Sequence, residues 1–71
     1  SLLLGGYSMS STQVANTMSK LNEDQRISLL RASASATRLT AYYIDRICRQ
    51  GTNDELPGLV ANEISGLLRS I

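Results

Sequence analysis

The sequence predicts an all-α fold, a three-helix bundle running up, down and up around a long central helix. Three observations predict it. Residues 23–50 run without a single Gly or Pro. Two capping-box spacings, Ser10 with Gln13 and Asn22 with Gln25, mark helix starts, because each pair lets a side chain and a backbone N–H satisfy one another. Beyond Gly51, Leu56, Val60, Ile64, Leu67 and Ile71 recur at helical spacing.

The elements follow in chain order. Gly5, Gly6 and Ser8 interrupt the apolar opening Leu2 to Leu4, and paired glycines carry too much backbone entropy to sustain a helix. Residues 1–9 are therefore expected to be a flexible tail or a leftover of a vector or preceding domain, with Met9 a candidate native start. A single helical domain is expected over residues 10–71. Its first helix spans about 11–20, with Val14, Met18 and Leu21 on one face.

Asn22 caps the central helix, Glu23 and Asp24 suit the positive end of its dipole, and Gly51 stops it at residue 50. On a helical wheel Ile27, Leu30, Ala34, Thr37, Ala41, Ile44 and Cys48 make one stripe. Leu29, Ala32, Ala36, Leu39, Tyr43 and Ile47 make a second beside it. A helix this apolar needs cover on two sides, where an ordinary surface helix buries one stripe. The run of small residues from Ala32 to Thr37 thins its middle, which suits close packing by another helix or a groove.

The last helix is expected over about 54–70, capped by Thr52 or Asn53, with Asp54 and Glu55 in its first turn and Pro57 tolerated there. Gly58, Ala61, Ser65 and Gly66 offer small spots for a neighbouring backbone. At 1.5 Å per residue the central helix would be about 42 Å long, the last about 25 Å and the first about 16 Å. Neither flanking helix can cover a whole stripe, so the bundle is expected to be open to completion by dimerisation or by a partner.

Composition narrows the function classes. A chain of 71 residues buries only about 60% of its unfolded surface, so a staple is needed if the core is ordinary. With one cysteine and no histidine, neither an intrachain disulfide nor a usual zinc site can supply it. Association remains. The net charge of +1 gives no global attraction to nucleic acid or an anionic membrane, and no apolar run approaches the length of a spanning helix. A soluble, cytoplasmic protein is expected.

Catalytic material is sparse. Without histidine there is no imidazole base for a Ser or Cys nucleophile. The pairs Glu23 with Asp24 and Asp54 with Glu55 fall in first helical turns, where capping explains them. Cys48 lies on the apolar stripe and reads as a core thiol. No phosphate-cradling glycine pattern is present. The reading is a non-enzyme without cofactor or metal.

The polar arc of the central helix carries Arg31, Arg38 and Arg49 within about 20° of one another, a ribbon with Arg46 and Tyr42 beside it. Tyr42 and Tyr43 point about 100° apart, one to the rim and one to the core. The function expected is a small helical protein-interaction module: an oligomerisation or docking domain, or a regulatory adaptor. Its contact residues would be Leu39, Tyr42, Tyr43, Ile47, Leu67 and Leu68, with Arg31, Arg38 and Arg49 as the charged component. The partner would be another protein or a second copy. The alternative is a small nucleic-acid-binding regulator using the arginine stripe, weakened by a last helix whose only base is Arg69.

Overall fold

The computed structural model describes residues 10–52 and 55–71. The expected tail over residues 1–9, the cap candidate Asn53 and the expected first-turn residue Asp54 lie outside the described residues. All regular structure among the described residues is helical: α1 Ser11–Ser19, α2 Glu23–Ala32, a 3₁₀ turn Ser33–Ser35, α3 Arg38–Gln50 and α4 Gly58–Ser70. The fold is all-α, with four helices in place of three.

Local signals place the first two helix starts. Ser10 Oγ accepts from the Gln13 N–H at 3.1 Å while Gln13 Oε1 accepts from the Ser10 N–H at 2.9 Å. Asn22 and Gln25 repeat the box at 2.8 and 3.0 Å. At the other end of the central run, Gly51 takes φ +69°, the left-handed cap that only glycine adopts without steric cost.

The long central helix does not form. It breaks after Ala32 through the 3₁₀ turn and two extended residues, Ala36 (φ −87°, ψ 170°) and Thr37 (φ −64°, ψ 157°). The chain then folds back, so that Arg26 near the start of α2 donates to the Cys48 carbonyl near the end of α3 at 3.4 Å. Two causes act together. The Ser33 and Ser35 hydroxyls donate to the carbonyls of Leu30 and Ala32, and short polar side chains of this kind compete with the helical ladder. Folding back also buries Leu29, Ile44, Ile47 and Cys48 within one chain, while Ile27 and Leu39 of the two stripes stay exposed. The molecule measures 29 × 25 × 22 Å, which leaves no room for a straight helix of about 42 Å.

The core gathers Val14, Ala15, Met18 and Leu21 from α1 and its exit, Leu29 from α2, Ile44, Ile47 and Cys48 from α3, and Leu56, Val60, Ala61, Ile64 and Leu68 from α4 and its approach. Leu30, Tyr43, Leu67 and Ile71 pack against it from the edge. α3 touches every other helix, and α4 packs on both α1 and α3. Burying each large apolar side chain contributes about 1.5–3 kcal/mol, enough to outweigh the few helical hydrogen bonds given up at the bend.

The last helix starts later than expected, at Gly58 with Pro57 as its N-cap, so Glu55 and Leu56 are extended approach rather than first turn. Proline in that place needs no N–H partner. Of the four small residues on this helix, Ala61 and Ser65 are buried, whereas a Cβ added at Gly58 or Gly66 would meet nothing within 4 Å. Close approach therefore uses the alanine and the serine, and Gly66 faces open space. No helix among the described residues is long and apolar enough to cross a membrane.

Candidate functional site

The start of α3 is held by a residue far away in sequence. Thr37 Oγ1 accepts from the Thr40 N–H at 3.4 Å, an ordinary N-cap, and the Thr37 hydroxyl donates to Glu63 Oε1 at 2.9 Å. The Thr37 N–H points at both Glu63 carboxylate oxygens, 3.4 Å from each. A carboxylate beside a helix N-terminus meets unpaired N–H groups and the positive end of the dipole. The Thr40 hydroxyl first, then the Thr37 hydroxyl and N–H, hold the Glu63 carboxyl below its ordinary value of 4.5.

Next to this junction lies an open apolar groove of about 630 Å³, lined by Thr37, Leu39 and Thr40 of the α3 start and by Leu59, Val60, Asn62 and Glu63 of α4. Leu39 is 52% exposed and Leu59 85% exposed. One helical turn on from Leu39 stands Tyr42, also 52% exposed. Its ring meets Tyr43 edge to face, with centroids 5.4 Å apart and planes at 80°. The Arg46 guanidinium lies 5.5 Å from the Tyr42 centroid, a cation–π contact that fixes the ring. Leu39 and Leu59 thus make an exposed apolar groove, with Tyr42 one turn along α3 from Leu39 and Arg46 over its ring.

A second groove, about 670 Å³, lies between α2 and the end of α3. Arg31 and Arg49 line it together with Arg26, Glu23, Ile27 and Leu30. Arg26 pairs with Glu23, and Arg49 Nε with Asp45 Oδ1 at 2.7 Å. Both pairs are solvent-exposed and worth at most about 1 kcal/mol each. Arg26 Nε is buried without a hydrogen-bond partner among the described residues. Burial pushes the Cys48 thiol above its ordinary value, against the smaller pull of Arg26, with Asp45 reinforcing the rise and Arg49 opposing it. A protonated, buried thiol is a poor nucleophile and packs as a small hydrophobe.

The residues expected to form one contact are therefore divided. Leu39 and Tyr42 share an exposed face, and Tyr43 and Leu67 are half-buried against the core. Ile47 and Leu68, 6% and 0% exposed, are core residues and cannot meet a partner in this conformation. The bend takes Arg38 to the start of α3, while Arg31 and Arg49 share the other groove, so the ribbon of a continuous helix does not exist. Two residues went unnoticed in the sequence. Leu59 is adjacent in sequence to the core residue Val60 and carries no separate signal, and Arg26 carries no pattern of its own because its contact with Cys48 depends on the bend.

No family model, curated protein or solved structure matches the chain.

Proposed function

We propose that this domain is a protein-interaction module whose docking face is Leu39, Tyr42 and Leu59, and that its partner presents an amphipathic helix with acidic flanks. The observation that carries the reading is the exposure of Leu39 and Leu59 at one groove with exposed Tyr42 a helical turn on from Leu39, where among the described residues Ile27 is the one other exposed large apolar side chain. Aromatic and aliphatic anchors in a groove are what a partner helix inserts against. Arg38 and Arg46 supply the charge preference, and they act mainly on encounter and orientation.

The fold-back favours docking over obligate assembly, since it buries Leu29, Ile44, Ile47 and Cys48 from within and leaves only Ile27 and Leu39 exposed among the large stripe residues. The same reading makes the protein a binding partner and not an enzyme. A lone, buried thiol suits a reducing cytoplasm.

An NMR titration of the labelled domain with an acidic amphipathic helical peptide tests the proposal. Amide shifts centred on Leu39, Tyr42 and Leu59 are expected, weakening with salt, and abolished by Leu39→Asp with Leu59→Asp. Shifts confined to the Arg26 and Arg31 groove, or none at saturating peptide, would overturn it. Shifts at the same face on concentrating the domain alone would name a second copy as the occupant.

A further inference from the structure

The bend between α2 and α3 buries none of its own 3₁₀ residues. It contains no Gly, no Pro and no residue at positive φ. Continuing the helix across it requires only that Ala36 and Thr37 rotate from ψ 170° and 157° into the helical region. The backbone bonds released at the bend have helical replacements, because each N–H from Ala36 to Thr40 would find a carbonyl four residues back. What a straight helix loses is the contact made from α4, the Glu63 carboxylate on the Thr37 hydroxyl and N–H.

We infer that this bend is a hinge and that the chain exchanges halves with a second copy of itself. In the exchanged form residues 23–50 are one helix, and α1 with α2 of one chain packs on α3 with α4 of the other. The occupant is set by the surfaces. Straightening separates Leu29 and Met18 from Ile44, Ile47 and Leu68, and the face that complements each half is the other half of the same sequence. The contacts between the two halves, Arg26 to the Cys48 carbonyl included, are recovered between chains, so the free-energy difference lies in the hinge and in the entropy of association. Concentration then drives exchange by mass action. This dimer owes nothing to the docking face on Leu39 and Leu59, and the two stand or fall separately.

Two hinge variants act in opposite directions. Glu63→Ala removes the lock, and because a dimer opens two hinges its dissociation constant should fall by about tenfold or more. Arg38→Pro fits the bent chain, since residue 38 is the first of α3 and Thr37 before it is already extended. In a straight helix the same proline disfavours each chain by roughly a hundredfold. After refolding at about 1 mM, sedimentation equilibrium should show dimer in Glu63→Ala and monomer in Arg38→Pro.

Geometry is read by spin labels at Asp24→Cys and Gln50→Cys in a Cys48→Ser background, refolded with excess unlabelled chain. The intrachain distance should lengthen to about 39 Å in the dimer. No dimer in Glu63→Ala, equal dimerisation by Arg38→Pro, or a dimer in which that distance stays short would each overturn the inference. A dimer abolished by Leu39→Asp and indifferent to Arg38→Pro would be face-to-face association instead.

Discussion

Replacing Gly66 by alanine should stabilise the domain. Gly66 lies inside α4, four residues before its end, is exposed, and has no neighbour within 4 Å of an added Cβ. Its backbone is outside the positive-φ region, where Gly51 stands alone among the described residues. Nothing in the folded state then opposes the change. The gain is the helix-propensity difference, about 1 kcal/mol, part of it arising because alanine restricts the unfolded chain. For a domain of this size 1 kcal/mol raises Tm by about 4–8 °C.

Thermal and urea unfolding followed by far-UV circular dichroism would measure the gain, with an unchanged urea slope showing that the folded surface is the same. Gly51→Ala is the internal control. It places a Cβ at φ +69° and should cost about 1–2 kcal/mol. A Gly66→Ala variant that is neutral or destabilised would refute the reasoning, because some other backbone would have to occupy that face. Protein-concentration dependence of the loss would identify it as a second copy.

Ile44→Ala removes a side chain with 0% exposure from the middle of the core and should cost about 2–5 kcal/mol. A chain of this length has about 4–10 kcal/mol in total, so urea titration should find it close to unfolded. Glu63 has a depressed pKa when folded, so its stabilisation is complete above the unfolded value near 4.5 and is lost as pH falls through the folded value. The stability difference between wild type and Glu63→Gln should therefore close as the pH falls from 4.5 through the folded value, and a gap that widens there would contradict the cap. Cys48, buried and raised in pKa, should react with a disulfide reagent only as fast as the core opens. Rapid reaction in native buffer would mean that α2 does not cover it.

How much of this was legible in the sequence depends on the range of each interaction. Ser10 with Gln13, Asn22 with Gln25, and Gly51 act within a turn of their helix, and each did what its spacing implied. The core face of α4 was legible in part, since Val60 and Ile64 follow from periodicity alone, whereas Leu67, expected beside them, is only half-buried and Leu68 takes the core place. The bend was not, because its lock joins residues 26 positions apart. Two signals pointed to it all the same. A wheel apolar on two stripes is also the pattern of two helices read as one, and a globule of this length has a radius of gyration of about 11 Å, matched by the observed 10.6 Å. The candidate site was half legible. Leu39 and Tyr42 were identified, but Ile47 and Leu68 look the same as interface anchors until the fold-back buries them.

The dependence of the α3 start on Glu63 orders events during synthesis. A chain leaving the ribosome N-terminus first presents α1 and α2 complete with their own caps, while Thr37 waits for a carboxylate encoded 26 residues later. Until that residue emerges, only the local Ser33 and Ser35 hydroxyl bonds oppose continuation of the helix. The last of these four helices to emerge is therefore the one that folds the middle of the chain back on itself. On a polysome, where neighbouring nascent chains are close together, the interval before it arrives is when one copy can still capture another.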